Sequence, residues 1–167
     1  VLFSDVTAVR EAAIARERLL AETEAARAAA DLERRRLATV LERLPVGVHV
    51  AEAPSGRLVL ENAAVRAICG AAPRSERVAD YSVDYAGHWP PGHPHAGEPL
   101  PSDAWPLARA LATGAPADAE LVEIRRADGT RRLASISAAP VRDADGRLVN
   151  AVATSVDVTD HVLARRE

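Results

Sequence analysis

The sequence predicts an α+β fold: a long N-terminal helix, then one domain in which short helices cover a five-stranded antiparallel sheet. Three observations carry this expectation. Residues 8–44 contain neither glycine nor proline and are rich in alanine, glutamate, arginine and leucine, all strong helix formers. Residues 119–157 hold three apolar, β-branched runs joined by Asp128-Gly129 and Asp145-Gly146, and Asp-Gly between such runs signals a hairpin. Between these regions Pro73, Pro90, Pro91, Pro94, Pro99 and Pro101 interrupt the chain, removing donors that a continuous helix or ladder needs. An antiparallel sheet with one face under segregated helices accommodates all three.

Hydrophobic residues make up 48% of the 167 positions and charged residues 27%, which suits one globular domain with a small appendage rather than a disordered chain. A formal net charge of -3 supplies no field that would draw in nucleic acid. Cys69 is the only cysteine; it excludes an internal disulfide and points to a cytoplasmic compartment. No apolar run reaches the roughly 20 residues that span a bilayer, so no membrane contact is expected of this segment.

The chain opens VLFSDVT and its last strand closes SVDVT. In both places an apolar run meets Asp-Val-Thr and passes into helix-forming sequence. Residues 1–7 are therefore expected to be the remnant last strand of an upstream domain, and the absence of methionine fits a piece of a longer protein. On this reading Asp5, Thr7, Asp157 and Thr159 mark two strand-to-helix junctions, and 161–167 starts an exit helix. Residues 8–43 form a helix ended by Pro45 and Gly47. So long a helix has no core of its own, and its apolar positions call for a partner helix. One heptad register aligns Val9, Ala13, Leu20, Ala30, Leu37, Leu41 and Leu44, but it also puts Arg16, Thr23, Arg27 and Arg34 on the seam. Self-association through a seam soft enough to shift register is the expectation; the alternative is a helix folded back on its own domain. Arg34–Arg36, preceded by Glu33, reads as a solvated helix face.

Residues 46–53 and 58–60 flank Pro54-Ser55-Gly56 and read as a hairpin. Asn62 is placed to cap a short helix, 63–69, which Gly70 ends in the left-handed conformation. A loop with one or two helical turns follows. Asp103 is placed to cap another helix, with Pro106 in its first turn and Gly114 at its end. Strands over 119–126, 130–141 and 147–157 complete the domain. Along the last of them Leu148, Asn150, Val152, Thr154 and Val156 share one face, and Val149, Ala151 and Ala153 the other. Both faces carry apolar residues, so alternation leaves open which one meets the core.

The segments LERLPVGVHV, ENAAVRAICG, WPLARALATG, IRRADGTRRLASISAAPVRDADGRLV and SVDVTD stand in an order and spacing that resemble a PAS domain. The resemblance covers 44–160, and 8–43 is similar to the signalling helix that enters such domains in bacterial-type multidomain sensors. It implies a concave sheet under short helices, a pocket between them, and a junction at Asp157 and Thr159 where the last strand passes into an exit helix. It also implies adjoining sensor and output domains in the full-length protein, with flanking helices relaying a ligand- or partner-induced change to an output such as the histidine kinase of a two-component system. The competing reading is a structural dimerisation module with no physiological ligand.

Weak pocket candidates are His49, Trp105 and Arg109, with Ser135, Ser137, Asn150 and Thr154 on the strands; all offer polar or aromatic contacts to a small-molecule ligand. His88, His93, His95 and Glu98 include donor types that zinc takes, yet a proline-rich loop gives no reason for them to converge. No metal is favoured and no cofactor is predicted. Cys69, ending a short helix, reads as a buried unreactive thiol. The Asn-Cys-Arg-Phe motif of flavin-binding photosensory PAS domains is absent, as is Cys-x-x-Cys-His, and residues 103–114 lack the histidine that haem-binding members commonly use. With no phosphate loop, serine elbow or HExxH pattern, a non-catalytic segment is expected. A metal- or thiol-dependent enzyme built on the histidine cluster or Cys69 is the remaining alternative.

Overall fold

The computed structural model describes residues 2–70 and 76–164, with side chains from Val9 onwards except Leu163. Helix α1 spans Leu2–Arg43. Leu2–Thr7, expected as a severed strand, forms the first turns of this helix instead. A strand with no neighbour leaves its N–H and C=O groups unpaired, whereas extending an existing helix pairs them locally without a new nucleus. The side chains of Asp5 and Thr7 lie outside the described residues, as do Val1 and residues 165–167 of the expected connectors.

The chain divides into two compact units, one ending at Val40 and one beginning at Leu41. The first is helical, and its larger apolar side chains are open to solvent, including Val9, Ile14, Leu19, Leu20, Leu32 and Leu37. Arg18 and Glu22, one turn apart, pair at 3.1 Å on its surface.

The second unit is built on a sheet ordered β2-β1-β6-β5-β4-β3, with every neighbouring pair antiparallel. Its strands are β1 (Gly47–Glu52), β2 (Leu58–Glu61), β3 (Gly87–His88), β4 (Ala117–Arg125), β5 (Arg131–Arg142) and β6 (Leu148–Asp157). Five of them fall where the sequence places strands. The sixth, β3, lies in the proline-rich stretch and pairs Gly87 with Ile124 and His88 with Glu123; two residues free of proline are enough for that rung.

Helices α2 (Ala63–Cys69), α3 (Tyr81–Asp84) and α4 (Pro106–Thr113) contribute to the covering layer, and α5 (Thr159–Ala164) follows the sheet. Asn62 caps α2, and Gly70 ends it at φ 78°, the left-handed region where a Cβ is penalised. Asp103 does not cap α4. A 3₁₀ turn, Ser102–Ala104, comes first, and Trp105 takes the N-cap position with no side-chain bond to the helix. The burial of the Trp105 ring, which is 3% exposed, decides the entry to α4 in place of a polar cap. On the sheet, Ala51, Ala134, Ala138, Ala151 and Ala153 are all buried in one cluster with Tyr81, Tyr85 and Trp105. This floor of methyl groups leaves room for three large rings between the layers.

Candidate functional site

Asn62 is 1% exposed, and all four of its amide hydrogen-bonding positions are used. Its Nδ2 donates to the Leu41 carbonyl at 2.8 Å and to the Val46 carbonyl at 2.9 Å. Its Oδ1 accepts from Val48 N at 2.9 Å and from Val65 N at 3.4 Å. One side chain thus ties the last turn of α1, the start of β1 and the first turn of α2. Glu42 adds a second tie: it accepts from Ala63 N at 3.1 Å and pairs with Arg66 on α2. The capping role of Asn62 follows from its place before 63–69. Its other bonds reach up to 21 residues back along the chain, and no local pattern signals them.

The exit is tied in a similar way. Asp157 Oδ1 accepts from Thr159 N at 3.0 Å and from the Thr159 hydroxyl. The same hydroxyl oxygen accepts from Leu133 N on β5 at 2.9 Å, and Arg132 lies 3.7 Å from Asp157. The junction between β6 and α5 is therefore held to the neighbouring strand.

Between the sheet and its helices the space is filled by rings. Tyr81 meets Tyr85 at 4.7 Å and Trp105 at 5.2 Å, both edge to face, and His49 lies 5.4 Å from Tyr85. The Tyr85 hydroxyl donates to Glu61 Oε2 at 2.8 Å, and His49 Nε2 lies 3.5 Å from the same oxygen. Burial, reinforced by the Glu61 charge, holds the Tyr81 phenol well above its ordinary range. Tyr85 moves the same way through burial first, then Tyr81 and the bond to Glu61. A void of about 10 Å³ among these rings is bordered by His49, Cys69, Tyr85 and Trp105, about the space of a single water. Burial also pushes the Cys69 thiol up to about 12, with Glu61 adding to the rise and Arg126 opposing it. A thiol in that state is a poor nucleophile.

Of the residues proposed for a ligand, His49 and Trp105 face this interior and help to fill it. Arg109 does not line it: its guanidinium pairs with Glu120 of β4. Ser135, Ser137, Asn150 and Thr154 are on the opposite face of the sheet. Ser137 and Thr154 stand directly across from each other, with hydroxyls 2.9 Å apart. Their chain neighbours Ala138 and Ala153, one residue out of phase, are the buried pair. Glu61, Tyr81 and Tyr85 complete the cluster and are not among the residues the sequence singles out. The i,i+4 tyrosines were the available signal, obscured by the loop-like composition around them.

The histidine-rich segment makes local contacts. The His93 ring stacks on Trp89 at 4.1 Å, His93 Nδ1 accepts from His95 N at 3.2 Å, and His95 Nδ1 lies 3.3 Å from Glu98. His88 Nδ1 lies 2.8 Å from the Ala86 carbonyl. Among the described residues no group of three or more histidine, cysteine, aspartate or glutamate side chains converges to hold a metal ion. Nor is any helix among them long and apolar enough to cross a membrane.

An antiparallel sheet roofed by short helices, with the residues that enter and leave it fastened to the strands, defines an α+β module. The chain belongs to the PAS fold family, whose pattern matches residues 41–163. No curated protein matches it. Among solved structures it is similar to an RNA-binding Light-Oxygen-Voltage receptor, with a TM-score of 0.55 and 23% identity over 80% of this chain and 34% of that one. It is also similar to the light state of the blue-light photoreceptor Aureochrome1 LOV, with a TM-score of 0.50 and 18% identity over 75% and 88% of the two chains. These likenesses are of fold, shared with sensor and photoreceptor domains. The chain spans only 34% of the RNA-binding receptor's length.

Proposed function

We propose that residues 44–160 are a non-catalytic sensory or regulatory PAS module. It self-associates through helix 8–43 and relays a ligand- or partner-induced change to an output domain such as a histidine kinase, on the cytoplasmic side. The observation that carries this reading is Asn62. Because its bonds to Leu41, Val46, Val48 and Val65 share one amide, a displacement of α2 or β1 alters the hold on the last turn of α1. A helix seam that mixes leucines with arginines can respond as a two-state element at low energetic cost. The exposed leucines of α1 supply the surface that a second helix covers.

The filled interior favours a second reading, a structural dimerisation module whose core takes no ligand, because about 10 Å³ is far below the few hundred Å³ of a small-molecule pocket. Sedimentation equilibrium tests the self-association common to both. The whole chain is expected to be a dimer and Leu37→Glu a monomer. A monomeric parent chain at high micromolar concentration defeats both readings of the helix.

A further inference from the structure

We propose that a cleft between α4, the β1–β2 turn and the start of β6 binds a small aliphatic amine. The cleft is open to solvent and offers a volume of about 640 Å³, comparable to small-molecule sites. It is separate from the ring-filled interior, and none of the sequence-derived pocket candidates lines it. Its walls are aliphatic: Ala53 and Pro54 from the turn, Val78 from the 3₁₀ turn before α3, Leu111 from α4 and Leu148 from β6.

The polar side consists of Ser102 and Asp103. The Ser102 hydroxyl is already spent, donating to Ser82 Oγ at 2.9 Å and accepting from Ser82 N at 3.2 Å. Asp103 is not spent. Its carboxylate is exposed, does not cap α4, and forms no ion pair or hydrogen bond among the described residues. Apolar walls beside one uncompensated carboxylate complement an alkyl or alicyclic body carrying one protonated nitrogen. A carboxylate or phosphate ligand would bring like charge against Asp103. The position suits a signal input: Leu148 opens β6, the strand that ends at the Asp157–Thr159 junction, and Ala53 N donates to Val149 O at 2.9 Å. The site extends the sensory reading by naming a ligand class, but its occupancy is measured independently of self-association.

The test is an amide-resolved NMR titration of the full chain with cyclohexylmethylamine, cyclohexylmethanol and cyclohexanecarboxylate. The amine is expected to shift Val78, Leu111 and Leu148 saturably, the alcohol to bind about fivefold more weakly, and the carboxylate more weakly still. Asp103→Asn, an exposed change that leaves the fold intact, is expected to lower amine affinity about fivefold and leave the alcohol unaffected. Equal binding of amine and carboxylate, an Asp103→Asn variant that binds the amine as the parent does, or shifts confined to residues outside the cleft would each overturn the proposal. Such a result would leave the dimerisation reading standing.

Discussion

Replacing Asn62 with leucine keeps much of the side-chain volume and removes every polar atom. Four backbone groups lose a partner: the N–H groups of Val48 and Val65 and the carbonyls of Leu41 and Val46. The carbonyls belong to half-buried residues, so water can replace the amide there at small cost. The N–H groups cannot be rescued so easily, because Val48 and Val65 are 8% and 1% exposed. An unsatisfied buried donor costs about 1–3 kcal/mol, and losing a helix cap costs about 1 kcal/mol. With the Val65 bond already long at 3.4 Å, the Val48 donor and the cap dominate. Asn62→Leu is expected to destabilise the domain by about 3 kcal/mol. In urea unfolding followed by tryptophan fluorescence, the midpoint should fall by about 1.5 M if m is near 2 kcal/mol/M. A loss below about 1 kcal/mol refutes the assignment of Asn62 as a fully engaged buried junction. Asn62→Asp separates capping from coupling: it keeps acceptors for Val48 and Val65 but turns an oxygen toward the Leu41 and Val46 carbonyls. Amide exchange at Arg43 and Leu44 is expected to accelerate; unchanged exchange there means that Asn62 does not hold the helix end.

The chain's two tyrosines, Tyr81 and Tyr85, both have raised folded-state values. Their neutral forms therefore stabilise the fold fully below the ordinary phenol value of about 10, and that contribution is lost as pH rises above it. Tyrosinate absorbance should appear together with loss of circular dichroism; its appearance near pH 10 in the folded protein contradicts the burial argument. Cys69, pushed up to about 12, is expected to alkylate about a thousandfold more slowly at pH 8 than an exposed thiol, and a rate near that of free cysteine rules this out. Gly87→Ala tests the filled interior, because a Cβ there meets Trp105 Cζ2 at 2.3 Å. Overpacking of this kind costs about 1–3 kcal/mol and should lower Tm by roughly 5–10 °C. An unchanged Tm shows that the ring cluster has slack.

Local chemistry made several elements legible. Asn62 and Gly70 bracket α2 at the residues where its helical backbone begins and ends, because capping and left-handed termination act over one turn. Asp128-Gly129 and Asp145-Gly146 sit in the turns between the last three strands, since a tight hairpin depends on only a few positions. At the strand end that resemblance names as the exit junction, Asp157 accepts from Thr159 N, and the Thr159 hydroxyl accepts from Leu133 N. The same local logic misplaced the cap of α4, where burial of Trp105 outweighed the capping preference of Asp103.

What the sequence by itself determined was therefore the main helices, five of the strands and their order, because helix propensity, turn chemistry and strand alternation are short-range; β3 and the helical state of residues 2–7 lay outside it. The tertiary structure decided which strand face became the core. Alternation offers two faces one residue apart, and packing buried Ala138 and Ala153 while leaving Ser137 and Thr154 on the other side. It also decided that His49 and Trp105 join two tyrosines to fill the interior, and that Asn62 joins Leu41 to the sheet. Those contacts depend on residues far apart in the chain, and no local pattern carries the distance between them.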